Sequence, residues 1–192
     1  MTDTITPAHH ARPAALRYRA LPIDPAVLDG LRTTDDAGRP CLPYTVTEEG
    51  APLRCCLRRA RVGESIALVS YAPLRRWAAE RGVVPGAYDE QGPVFIHGAR
   101  CGGPASGPFP GSSSGPFPGP AEHLFVREGV LRTVRRYDGE GRIAGGRMVE
   151  FTEDAVADLD RALDEAFADP AVAVAHVRAV EYGCFLFEVR RP

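Results

Sequence analysis

The spacing of apolar positions switches along the chain between a period of two and a helical period. "ESIALVSY" (64–71) and "GPVFIH" (92–97) are short apolar runs rich in β-branched residues, which predicts two strands, the second buried. "ALRYRAL" (15–21) alternates apolar and polar and predicts another strand, and "LRCCLRRA" a weaker one. "VLRTVRRYDGEGRIAGGRMVEF" reads as two strands joined through a glycine-rich turn. "VAVAHVRAV" and "CFLFEVRR" read as an antiparallel hairpin closed by a turn containing Gly183. Helices are announced by their ends. Asp24 and Pro25 supply a cap and a first-turn proline, "APLRRWAAERG" is closed by Gly82, and "TEDAVADLDRALDEAFADP" is stopped by Pro170. In the last, Ala155, Leu159, Ala162, Leu163, Ala166 and Phe167 recur at helical spacing, and the acidic face is expected to be solvated. This order predicts an α+β fold: a largely antiparallel mixed sheet, a few short helices and one longer helix in the C-terminal half.

The pattern fails at both ends of the organisation. Residues 1–14 are polar and proline-bearing and read as a disordered tail, leaving 15–192 as a single domain. Residues 102–120 repeat "SGPFPG" at 106–111 and 114–119 in a Gly, Pro, Ser and Phe stretch that cannot pack a core. This insertion is a flexible duplication or a lid carrying Phe109 and Phe117. Within it "GSSSG", centred on Ser113, matches a nucleophile elbow but lacks the strand before and helix after. "GEGRIA" (139–144) matches a dinucleotide fingerprint but sits in a strand–strand turn.

Composition narrows the chemistry. The formal charge is −2 and the arginines are dispersed, which argues against a nucleic-acid partner. No apolar run reaches membrane-spanning length and no signal-like start is present, so the chain is expected to be cytoplasmic, without membrane contact. All 23 basic residues are arginine, which excludes Schiff-base chemistry and a P-loop lysine, and the absence of asparagine excludes a Cys-His-Asn triad. Codon bias in a GC-rich genome would account for both absences. The five cysteines, at 41, 55, 56, 101 and 184, are expected to be reduced thiols.

"PLRCCLRRARVGESIALVSYAPL", "GPVFIHGARC", "VRRYDGEGRI" and "AHVRAVEYGCFLFEVRR", in that order across about residues 16–190, resemble the bacterial family of uncharacterised small proteins called DUF1203. The resemblance implies a fold and a residue set, with no activity attached. The recurrent positions fall on Arg54, Cys56, Gly63, Glu64, Tyr71, Gly92, Pro93, His97, Cys101, Arg135, Tyr137, His176, Gly183, Cys184 and Phe185.

Those residues admit three chemistries. A small-molecule site at the ends of strands 64–71 and 92–97 would use His97 as base, Tyr71 as proton donor and Cys101 as a possible thiolate. Arg54 and Arg135 would bind an anionic metabolite, with His176 beside them. Such a site would need no cofactor and would suit acid–base chemistry in specialised metabolism. A non-catalytic metabolite-binding or accessory protein needs only the pocket. In the third reading, zinc is held by His97, Cys101, His176 and Cys184. The terminal hairpin argues against that set: with residues 180–183 as the turn, His176 faces Phe187, and Cys184 points to the opposite side of the sheet unless a bulge reverses the register. The expectation from sequence is therefore a pocket with no bound metal, of unassigned reaction and oligomeric state.

Overall fold

The computed structural model describes residues 18–104 and 125–191. The expected tail, residues 15–17, and the insertion from 105 onward, with Phe109, Ser113 and Phe117, lie outside the described residues.

The strongest strand signals form the centre of the first sheet. β4 (Ser65–Tyr71) and β5 (Gly92–His97) run antiparallel, from Ile66 opposite His97 to Tyr71 opposite Gly92. β1 (Tyr44–Thr45) adds to the outer edge of β4, while β2 (Pro52–Leu53) pairs with β5 in parallel and is itself paired with β3 (Arg58–Arg59), giving the order β1-β4-β5-β2-β3. A second, antiparallel sheet has the order β7-β6-β8-β9, from β6 (Leu131–Asp138), β7 (Ile143–Glu150), β8 (Val172–Ala179) and β9 (Phe185–Arg190). The fold is α+β, in two sheets rather than one. The first sheet is built from the chain before the insertion and the second from the chain after it.

Three α-helices among the described residues complete the architecture. α1 (Pro25–Leu31) begins as expected at Asp24, whose carboxylate accepts from the Ala26 amide, and α2 (Pro73–Arg81) ends at left-handed Gly82. α3 (Ala155–Ala168) is the longest, and its predicted apolar positions are buried with Phe151, Val177 and Phe187 in the core of the second sheet. None of these helices is long and apolar enough to cross a membrane. Two polar positions of α3 depart from expectation, because Asp158 and Asp160 are buried instead of solvated. Asp158 accepts from the Thr152 amide and hydroxyl, both at 2.7 Å, and so fastens the chain entering the helix.

The expected strand at 15–21 is reduced to one bridge, Leu21 opposite Glu188, with residues 18–20 outside any strand and Pro22 following. That bridge joins the N-terminal segment to β9. The two sheets meet there: Phe185 of β9 packs into the core of the first sheet, and Tyr71 meets its ring edge-on at 5.5 Å.

Two buried carboxylates should make the fold acid-sensitive. Burial opposes ionisation of Asp35, but amides of Ser70 (2.9 Å), Arg39 (2.9 Å) and Ala37 (3.0 Å) outweigh it and hold the carboxyl below its ordinary 3.8; the Thr152 donors do the same for Asp158. A carboxyl depressed in the folded state stabilises above its unfolded value and loses that contribution as pH falls through it. Thermal midpoints should therefore drop as pH falls below about 4. Asp35→Asn should lower stability at neutral pH by about 1–3 kcal/mol and make the acid limb shallower; an unchanged acid limb would exclude Asp35 as its source.

Candidate functional site

The site begins with a turn that the sequence disguises. "LRCCLRRA" is a tight hairpin, β2 to β3, whose turn is Arg54–Leu57. The Leu57 amide donates to the Leu53 carbonyl at 2.9 Å, and Leu57 itself sits in the left-handed region with φ 55°. A strand would have sent the side chains of Cys55 and Cys56 to opposite faces; the turn lets both converge. Their destination is fixed by the parallel pairing of β2 and β5. Leu53 is opposite Phe95, so two residues further along each chain Cys55 arrives beside His97.

Cys55 Sγ lies 3.2 Å from His97 Nδ1 and accepts from the His97 amide at 3.3 Å; Cys56 Sγ is 3.8 Å from the same nitrogen and 3.9 Å from Cys55 Sγ. Cys101, four residues beyond His97 in the loop that follows β5, completes the group. The ligand atoms of Cys55, Cys56, His97 and Cys101 all lie within 4.8 Å of one another. The first three residues are buried and Cys101 is half-buried. Gly98 makes the exit from β5 possible, since a Cβ there would stand 2.8 Å from Ser65 Oγ and 2.9 Å from Pro43 Cβ.

The outer face of His97 is also organised. Its Nε2 faces Arg58 Nη2 at 3.1 Å and Glu64 Oε2 at 3.7 Å, and Arg58 grips the Glu64 carboxylate with contacts of 2.9 and 2.6 Å. The Arg61 amide also donates to Glu64. Burial disfavours protonation of His97, but hydrogen bonding to Cys101 and Cys55 outweighs it and pushes the imidazole up to about 9. Among the sulfurs, hydrogen bonds from Cys55 and Cys56 bring Cys101 far below the usual thiol range, while hydrogen bonding to Cys101 pushes Cys56 far above it.

The other expected site residues do not join this cluster. Tyr71 is at the opposite end of the β4–β5 ladder from His97, roughly 16 Å along the strand at about 3.3 Å per residue. It borders a cavity of about 430 Å³ shared with Trp77, Phe185, Glu188 and Arg190, and burial raises its hydroxyl pKa. Arg54 is buried at 3% exposure with its Nε donating to the Phe185 carbonyl at 2.8 Å and its Nη1 to the Pro52 carbonyl. Arg135 is held by Glu90, which Arg178 also contacts at 2.8 Å. A register shift between Val177 and Arg178 places His176 opposite Glu188, not Phe187. Fully buried between Tyr137 and Phe185, at ring distances of 4.9 and 5.2 Å, His176 meets Glu188 through Nε2 at 3.3 Å. Cys184 contacts the Tyr182 carbonyl at 3.7 Å and is not in the cluster. The structure therefore brings together His97 and Cys101 of the expected residues, and adds Cys55 and Cys56, which the strand reading of "LRCCLRRA" concealed.

No curated protein and no solved structure matches this chain significantly. A family model does, over residues 50–191, a span that holds all four members of the cluster; the chain belongs to DUF1203, described as a protein family of unknown function.

Proposed function

We propose that this chain is a metal-binding protein whose centre is a Cys3His site of the zinc type, formed by Cys55, Cys56, His97 and Cys101. The observation that carries the reading is the size of the cluster. Zinc–sulfur and zinc–nitrogen bonds of about 2.3 and 2.0–2.1 Å make a tetrahedron with edges of roughly 3.5–3.8 Å. The separations of 3.2, 3.8 and 3.9 Å among Cys55, Cys56 and His97 bracket that range. Three thiolates and an imidazole form a soft donor set that favours zinc over magnesium or calcium. Four protein ligands leave no open position, so the metal's role is to hold the fold or to sense, not to activate water. Bound through Nδ1, His97 would carry its proton on Nε2, which faces Arg58 Nη2 at 3.1 Å and Glu64 Oε2 at 3.7 Å, so a carboxylate hydrogen bond of the kind that orients many metal-ligating imidazoles requires the Arg58 guanidinium to give way to Glu64.

Native mass spectrometry with elemental analysis tests the reading. One zinc per chain is expected, lost in Cys55→Ser, Cys56→Ser and His97→Ala and retained in Cys41→Ser and Cys184→Ser. A folded chain of bare mass, purified under reducing conditions with zinc supplied, would overturn it.

The cavity beside Tyr71 favours a second reading, a small-molecule site used in acid–base chemistry or in binding alone. Arg19, Arg76 and Arg190 at its wall could meet an anionic metabolite, with Tyr71 as proton donor. Neither His97 nor Cys101 belongs to that cavity. Saturable thermal stabilisation by a carboxylate or phosphate metabolite, weakened in Tyr71→Phe, is expected. Ligand response that survives in Tyr71→Phe and Arg190→Ala alike would place the site elsewhere.

A further inference from the structure

We propose that the same cluster is a redox-active site that reacts with hydroperoxides, joining Cys101 to Cys56 as a disulfide and releasing the metal. The release step rests on the metal reading above; the disulfide step stands on the thiol geometry alone.

The partners follow from position. Cys55 and Cys56 are sequence neighbours, so their Cα atoms are held about 3.8 Å apart, below the roughly 4.4 Å at which ordinary disulfides begin. An unstrained bond must therefore include Cys101. Cys55 is the more firmly held of the hairpin thiols, with contacts of 3.2 and 3.3 Å to His97, against 3.8 Å for Cys56. Cys56 is thus freer to turn toward Cys101. Exposure sets the order of events: Cys55 and Cys56 are 1% and 3% exposed, whereas Cys101 is half-buried and is the thiol a small oxidant reaches first. Cys101 also belongs to no strand, and Gly102 and Gly103, with φ of 75° and 78°, follow it, so the loop can close the remaining distance.

The chemistry balances with one hydroperoxide. The Cys101 thiolate attacks the distal peroxide oxygen; an S–O bond forms, the O–O bond breaks, and the alkoxide leaves and takes a proton to become the alcohol. Sulfur is oxidised to sulfenic acid and the peroxide is reduced. Cys56 Sγ then attacks that sulfur and gives up its thiol proton; the S–S bond forms, the S–O bond breaks, and the hydroxide leaves with that proton as water. Two thiols and one hydroperoxide give one disulfide, one alcohol and one water. Two of four ligands are consumed, and Cys55 with His97 alone cannot retain zinc.

The test treats the full-length zinc-loaded chain with one equivalent of hydrogen peroxide and follows zinc release with a chromophoric chelator and intact mass together. A chain lighter by roughly 2 Da, a Cys56–Cys101 peptide on proteolysis, released zinc, and rebinding after dithiothreitol are expected. Cys101→Ser should abolish the mass loss, and Cys56→Ser should leave a sulfenic acid at Cys101 that dimedone traps. Oxygen addition without a disulfide, a bridge through Cys41 or Cys184, or unchanged mass at tenfold excess peroxide would each overturn the proposal. Should the purified chain hold no zinc, the metal reading fails alone, and the Cys56–Cys101 bridge in the metal-free chain still decides the thiol chemistry.

Discussion

Removing zinc with a strong chelator should lower the thermal midpoint of the purified chain by about 8–16 °C. Free metal at a thousandfold excess over its dissociation constant stabilises by about 4.1 kcal/mol, and a chain of this size shifts by about 2–4 °C for each kcal/mol. The effect is large because of what the four ligands join. Cys55 and Cys56 belong to the β2–β3 turn, His97 ends β5, and Cys101 lies in the loop beyond. Without a cation, three thiols and an imidazole remain packed against each other at the edge of a buried core, with charge and protons poorly accommodated. Cys55→Ser should melt near the chelated wild type and should no longer respond to chelator. Coincident melting curves with and without chelator would show that no metal contributes to the fold.

The limits of the sequence reading lie at this same turn. The strands 64–71 and 92–97 and the 155–168 helix were legible because their signals are local: apolar runs of strand length, apolar positions recurring at helical spacing, a terminating proline. The proximity of His97 and Cys101 was legible for the same reason. Cys55 and Cys56 were not. Their approach depends on a left-handed leucine, which no turn residue announces, and on parallel pairing between Leu53 and Phe95, far apart in the chain. The grouping of His97 with His176 and Cys184 fails because β5 and β8 belong to different sheets. Arginine was read too simply: sequence does not distinguish a guanidinium awaiting an anion from one already bonded to the carbonyls of a remote strand.

Arg54→Ala should cost about 3 kcal/mol and about 6–12 °C in thermal midpoint. The side chain donates from Nε to the Phe185 carbonyl at 2.8 Å and from Nη1 to the Pro52 carbonyl, so one guanidinium fastens the β2–β3 hairpin of the first sheet to β9 of the second. Each hydrogen bond to a charged group contributes about 1.5–3 kcal/mol. The gain is reduced by burying the charge, which lowers the guanidinium pKa to about 10, and no carboxylate pairs with Arg54 among the described residues. Alanine removes both bonds, strands two carbonyls and opens a void, whereas Arg54→Met fills most of the space and should cost less. Arg54 adjoins Cys55, so loosening its turn should also weaken zinc retention, and the alanine chain should lose metal at a lower chelator concentration. An anion anchor behaves oppositely, since freeing a site from an unpaired buried cation leaves the fold as stable or more so. A midpoint unchanged or raised in Arg54→Ala would return this residue to the role expected from sequence; a fall in both midpoint and metal retention assigns it to the joint between the sheets.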